Sequence, residues 1–536
     1  MFKIKKITAT VLTLSFGMAS LAACGKEGID ETKTQLYVGV FEGGIGSEWA
    51  NEYARLFEEK YADTSFEEGK TGVEVIINVS KDKYVSSTLA STIPYDFEDV
   101  YFLLGNNYYN YASQKLFADI TDVVNSRIEG EDKTILQKMS SYTDYYRYED
   151  GAFYAIPLAD SFAGIIYDMD LFKEKQLYFK EGGGWTGSAN KSKGPDGLPD
   201  THDDGLPSSW EEFKTLLNEM ISVNITPFTW CGKTIGYRSD TMWAAFANEV
   251  GAEQYNINYT FKGTAVMENG ESVEITNENA YRLQEQAGKK YAIEIAQHLA
   301  SDSRMYSSNS FDLVQSHTGT QLNFISSVIS GEKRIAMMFE GTWWENEARD
   351  AGLFAEMGSE YDYGKRNFGF MPFPKKNGSD KGKTTLLSTI GNSCVAINAA
   401  TKKSELAKLF VAFTTSDECL RIFTKCSGVT RPYDYELTDA EISEMTTFGK
   451  QTWDYYHDDN TMVVSQLDYN KMRMENSAYL NDMKKFTTKV GQIYDDPFSA
   501  FKDGYISSAS VYFNGLKNVY TKELWDNQFK GKGYGF

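Results

Sequence analysis

Apolar and polar positions along this chain fall into blocks that switch between the period of a strand and that of a helix. Residues 35–40 are mostly apolar and end in the turn Phe41-Glu42-Gly43-Gly44-Ile45-Gly46. Trp49, Tyr53, Leu56 and Phe57 then recur at helical spacing. Residues 72–79 read as a second strand. A polar helix and residues 97–104, a third apolar run, follow. This β–α–β–α–β alternation predicts an α/β lobe with a largely parallel sheet. Ligands of such sheets bind beyond the carboxyl ends of the strands, which singles out residues 42–46 and 105–109. Further on, residues 151–157 form a turn and a short strand. Pro157 cannot continue a central ladder, which suits a chain crossing between lobes. Residues 335–339 predict a buried strand that ends in Glu340-Gly341-Thr342-Trp343-Trp344. Two successive indoles point in different directions, so one is expected to face a cleft.

The first apolar run is of another kind. Lys3, Lys5 and Lys6 precede a mostly apolar stretch over 7–21, closed by small residues around one cysteine in Leu21-Ala22-Ala23-Cys24-Gly25. A basic start, an apolar run and a small-residue cleavage site are the parts of a secretory signal, here residues 1–23. Residues 21–24 resemble the lipobox of bacterial lipoproteins, in which the cysteine thiol is diacylated and becomes the mature N-terminus. The plainer alternative is an ordinary signal peptide with an incidental cysteine. The resemblance implies lipidation at Cys24, a linker over 24–33, and a body held at the extracellular face of the cell membrane by its lipid anchor alone.

Composition fits a globular body on such a tether. The 536 residues suffice for two domains, and a mean hydropathy of -0.44 with 41% hydrophobic residues excludes a membrane-embedded bulk. No later run approaches the ~18 apolar residues of a spanning helix. A net charge of -21 argues against nucleic acid and against broad electrostatic binding to anionic lipid. It points to an uncharged or cationic ligand. Beyond Cys24 there remain Cys231, Cys394, Cys419 and Cys426. They form no C-x-x-C pair and no zinc spacing, and Cys419 and Cys426 are either bridged or buried free thiols. Aromatics make up 14% of the chain, and most of them are core. Some Tyr and Trp, however, sit at turns after strand-like runs, bordered by Asp, Asn and Glu. Sugar rings stack on such surfaces while carboxylates and amides bind their hydroxyls.

The order of motifs carries a family resemblance. Asp99-Val100 followed by Leu116-Phe117-Ala118-Asp119-Ile120-Thr121 resembles the "DV…LADLT" passage of bacterial extracellular solute-binding proteins. Residues 150–157, DGAFYAIP, resemble their "DGKIYAIP" element; residues 166–172, IYDMDLF, resemble "YNKDLF"; and residues 206–213, LPSSWEEF, resemble "PKTWDEF". Residues 331–343, GEKRIAMMFEGTW, are similar to "GKAAMFNGPW", and residues 368–374 and 395–399 complete the series. The family is that of the sugar-binding lipoproteins of ABC importers related to maltose-binding protein. It implies a two-lobed α/β fold of the periplasmic-binding-protein type, with a ligand cleft between lobes joined by hinge crossings. The implied lobes are residues 34–157 with 388–432, and residues 158–387 with 433–536.

By the same resemblance, Trp343 stacks on a sugar, Asp160 and Ser161 supply polar contacts beside the hinge, and Glu42 lies in a recurrent contact region. Tyr108, Trp230, Trp243 and Asn392 are further candidates, for each of which a structural role stays open. The implied partners are an oligosaccharide and the permease subunits of an importer, for a protein that is itself a monomer and not an enzyme. The alternatives are a surface glycosidase, which needs two carboxylates across a glycosidic bond, and a glycan-binding adhesin or sensor. One insertion has its own chemistry. Residues 194–205 gather Asp196, Asp200, Asp203 and Asp204 in a loop rich in Gly and Pro. Calcium takes six to eight oxygens from such flexible carboxylate loops, so structural Ca²⁺ is expected there. A solvated acidic turn before a helix capped by Ser208 or Ser209 is the alternative.

Overall fold

A computed structural model describes residues 28–84, 86–104, 108–139, 142–377, 383–391, 393–467, 486–487, 493–494 and 497–529. The signal segment and Cys24 lie outside the described residues, as does Asn392. The strands of the two main sheets are β1 (Thr34–Val40), β2 (Val73–Val79), β3 (Val100–Leu103), β4 (Ile156–Pro157), β5 (Ala163–Asp168) and β6 (Thr226–Thr229), followed by β7 (Ile335–Gly341), β8 (Phe368–Met371), β9 (Thr384–Ser388), β10 (Cys394–Ile397) and β11 (Thr461–Ser465). The helices that bear on the site are α1 (Glu48–Lys60), α2 (Ile235–Thr260), α3 (His317–Ser326), α4 (Trp344–Asp350), α5 (Asp417–Ser427), α6 (Asp439–Glu444) and α7 (Thr447–His457).

The first sheet runs β2-β1-β3-β10-β4. β1 is parallel to β2 and β3, whereas β10 is antiparallel to β3 and β4. The helix α1 buries Trp49, Tyr53 and Phe57 against this sheet, as the helical spacing predicts. The third apolar run is only partly a strand. β3 begins at Val100, and Phe97 is 64% exposed with its ring set edgewise on Tyr37.

The second sheet runs β11-β9-β5-β7-β6, with β8 also paired to β5. All seven residues of β7 are buried, the mark of a strand covered on both faces. Met337 and Phe339 join one apolar cluster and Met338 another, so alternation along the strand feeds two separate cores. Trp344 is fully buried in the second of these, between Phe324, Phe368 and Phe448. Trp343 packs instead on the core of the first sheet.

Chain crossings link the sheets. Residues 158–162 connect β4 to β5, and residues 389–393 connect β9 to β10. A third crossing follows α5, where the Asp160 N–H donates to Thr430 O at 2.9 Å. Arg431 is wholly buried there; it donates to Pro157 O at 3.0 Å and to Thr414 O at 2.5 Å. Pro157 thus ends the edge of a sheet and begins a crossing, in keeping with its missing N–H. The four described cysteines are free thiols, and Cys419 and Cys426 both lie on α5.

Candidate functional site

Strand direction decides which ends face each other. Gly341 pairs with Ala163, and Leu387 also pairs with Ala163. The end of β7, the start of β5 and the end of β9 therefore lie on one edge of the second sheet. In the first sheet Cys394 pairs with Leu103 and with Pro157, so the end of β3 meets the crossings. The turn after β1 lies on that same edge, because β1 is parallel to β3.

Trp343 closes the gap between these edges. Its indole is half-buried and lies over Gly341. On the first sheet it packs on Gly44, where a β-carbon would come within 2.4 Å of the indole Cδ1. Asn346, on the next helix, donates from Nδ2 to Gly44 O at 3.4 Å. Glu42 is exposed in this same turn.

A polar cluster stands beside the indole. Gln321 is fully buried and donates from Nε2 to Glu347 Oε2 at 2.7 Å and to Glu340 Oε2 at 3.4 Å. His317 Nε2 is 3.3 Å from Glu347 Oε1, and its ring is parallel to that of Tyr237 within 11°. Burial holds the Glu340 carboxyl well above the usual carboxylate range, and the charge of Glu347 adds to this. Burial also pushes Glu347 up. Bonds to His317 and Gln321, with the charges of His317 and Lys81, outweigh it and leave the group lowered. Lys81 follows β2 of the first sheet. Groups from both sheets thus set the charge state of one carboxylate pair, the kind of perturbation that collects at functional sites.

At the hinge, Asp160 and Ser161 are both buried, and Ser161 Oγ has no hydrogen-bond partner. Tyr456 donates to Asp160 Oδ2 at 3.2 Å. Burial raises the Asp160 carboxyl to about 6 against the lowering effect of the Ser388, Tyr142 and Tyr456 hydroxyls.

The family model for bacterial extracellular solute-binding proteins matches residues 61–446. The chain belongs to that family. The solute-binding protein has the same fold as the apo form of RafE from Streptococcus pneumoniae, with a TM-score of 0.54 and 14% identity over 93% of this chain and 100% of that one. RafE in complex with raffinose aligns with a TM-score of 0.53 and 15% identity over 91% and 100%. A chitin oligosaccharide binding protein aligns with a TM-score of 0.56 and 14% identity over 92% and 98%. A search of curated proteins by sequence gives no match. At these identities the structural likenesses establish the α/β solute-binding fold. Among the described residues no helix is long and apolar enough to cross a membrane.

Three candidate residues of this solute-binding protein are buried among other aromatic side chains. Tyr108 is buried, and its hydroxyl donates to Tyr146 O at 2.8 Å. Trp230 is enclosed by Phe228, Tyr306, Phe311 and Phe498. Trp243 lies within α2 against Phe246 and Tyr255. The acidic loop turns its carboxylates on itself. Asp203 Oδ2 accepts from Asp196 N and Asp204 Oδ2 from Asp200 N, at 2.9 and 2.8 Å, while Asp196 Oδ1 accepts from Leu198 N at 2.7 Å. Among the described residues no three His, Cys, Asp or Glu side chains gather as a metal-ligand set.

Gln321, Glu340, Glu347, His317 and Tyr237 were not singled out from the sequence. One signal was available. Glu340 ends an otherwise apolar strand beside Trp343, and a carboxylate in that place asks for a buried partner.

Proposed function

We propose that this protein binds an extracellular carbohydrate, an oligosaccharide, between its two lobes and delivers it to a membrane ABC importer by hinge closure. The observation that carries this reading is Trp343, an indole at a strand end packed against the opposite lobe and bordered by the Gln321–Glu340–Glu347 cluster. Such a face offers a ring for stacking beside amides and carboxylates for hydroxyls. Solved structures of the same fold whose names specify raffinose and chitin oligosaccharides support the ligand class. A ligand held by both lobes shifts the population toward the closed state by its differential affinity for it.

The proposal includes the lobe boundaries near residues 157, 388 and 432, a lipid anchor at Cys24, and binding without turnover. Calorimetry over a glycan panel that contains raffinose and chitin oligomers tests it. Saturable binding with intact glycan recovered is expected. No binding across the panel, or shorter products, overturns it.

A further inference from the structure

Helix α4 presents two faces to the first lobe. Trp343 and Glu347 stand one turn apart on the face described above. Glu345 and Arg349 stand one turn apart on the other. That second face, the end of α5 and the segment from Leu437 to Gly449 enclose a crevice of about 200 Å³. Trp343 does not line it.

The buried polar residues on its wall are Thr342, Thr424, Glu345 and Asn346, and Arg349 and Lys425 stand on the same wall. Glu345 and Asn346 are 5% and 4% exposed. Asn346 uses Nδ2 on Gly44 O and on Asp350 Oδ2, which leaves Oδ1 buried without a hydrogen-bond partner. Glu345 Oε2 accepts from the Thr446 hydroxyl at 2.6 Å, and burial pushes this carboxyl up to about 7. The two cations on the wall hold other partners. Arg349 holds Asp350 at 2.9 Å and Cys426 O at 3.3 Å, and Lys425 holds Glu444 at 3.0 Å. Leu437, Met445 and Phe448 supply apolar wall.

An unpartnered acceptor beside a buried carboxylate that makes no ion pair among the described residues, and on which the charge of Arg349 acts only from a distance, calls for a donor that carries positive charge. An anion would meet Glu345. A polyol would leave hydroxyls against the apolar wall. We propose that this crevice is a second binding site, for a small organic cation whose primary ammonium sits on Glu345 and Asn346 Oδ1 and whose apolar body lies along Leu437, Met445 and Phe448. Its occupant touches α4 of one lobe and α5 of the other, so it favours the lobe arrangement in which they are apposed.

The test uses the mature chain with benzylamine, and with benzyl alcohol as its uncharged counterpart. Benzylamine should raise the melting temperature with concentration and bind in calorimetry at least about tenfold more tightly than the alcohol. Glu345→Gln should remove that preference. Met445→Trp, which fills the crevice from a half-buried position, should abolish both responses. Circular dichroism of both variants should match the wild type, which shows that they are folded. Equal response to amine and alcohol, or an amine response unchanged in Glu345→Gln or Met445→Trp, would overturn the proposal.

Discussion

The Trp343 indole rests on Gly44 so closely that a β-carbon there would lie 2.4 Å from Cδ1. One residue ends a strand of the second sheet and the other follows β1 of the first. Their contact is therefore a measure of how near the lobes stand. Gly44 matters for what it lacks, since any side chain would displace the ring.

Gly44→Ala is accordingly expected to weaken glycan binding about tenfold, or about 1.4 kcal/mol. Trp343→Ala should cost more, about 2 kcal/mol or above, as buried aromatic anchors of interfaces do. Calorimetry on both variants checks this, with circular dichroism to confirm the fold. Wild-type affinity in Gly44→Ala would mean that the ligand-bound state does not use this contact.

The second prediction concerns Arg431 at the hinge. Its guanidinium and the Tyr433 hydroxyl both donate to Pro157 O, at 3.0 and 3.1 Å. Arg431→Met keeps the aliphatic stem but strips the donors from Pro157 O and Thr414 O, which should destabilise the protein by about 3 kcal/mol. Tyr433→Phe leaves the arginine on the same carbonyl and should cost only about 1 kcal/mol. Urea titrations of the two variants should rank them in that order; similar losses would show that the carbonyl is not the point at issue.

Elements with long apolar runs were legible from the sequence, and sites assembled from distant segments were not. The strands at 35–40, 72–79 and 335–339 stand in the structure to within two residues at each end. Ser209 caps its helix by accepting from Glu212 N, a signal local enough to read directly. Trp230 follows a strand just as Trp343 does, yet it is only 1% exposed. What encloses it comes from Tyr306, Phe311 and Phe498, far away in the chain. The polar cluster likewise draws on α2, α3, the end of β7 and α4. No local period links Tyr237, Gln321, Glu340 and Glu347.

The third prediction is a fall in stability between acid and neutral pH. Burial raises Asp160 to about 6, and burial with the charge of Asp196 raises Asp203 to about 7. Both values lie above the unfolded reference near 4, so the folded state binds more protons in that window. The stability these groups contribute is complete below pH ~4 and is lost as pH rises through their folded values. Melting temperature should therefore be higher at pH 5 than at pH 8. Asp203→Asn should flatten the slope and melt higher than wild type at pH 8. Because the acidic loop already satisfies its own N–H groups, melting should be the same in Ca²⁺ as in EGTA. A rise with Ca²⁺ would show that the loop carboxylates leave those partners for the ion.

The fourth prediction separates the two carboxylates that share Gln321. Desolvation and the charge of Glu347 raise the Glu340 carboxyl well above its ordinary range, whereas bonds to His317 and Gln321, with the charges of His317 and Lys81, outweigh burial and lower Glu347. Replacing a carboxyl whose ionisation burial disfavours with an amide of the same shape removes the penalty for ionising the group as pH rises. Glu340→Gln should therefore melt at or above the wild-type temperature at pH 8, with the difference vanishing by pH 5. Glu347→Gln loses the carboxylate oxygen that stands 3.3 Å from His317 Nε2 and the charge that faces Lys81 across the lobes. It should lower both melting temperature and glycan affinity at pH 8. If the two substitutions behave alike, the pair titrates as a unit and the assignment of one raised and one lowered member fails.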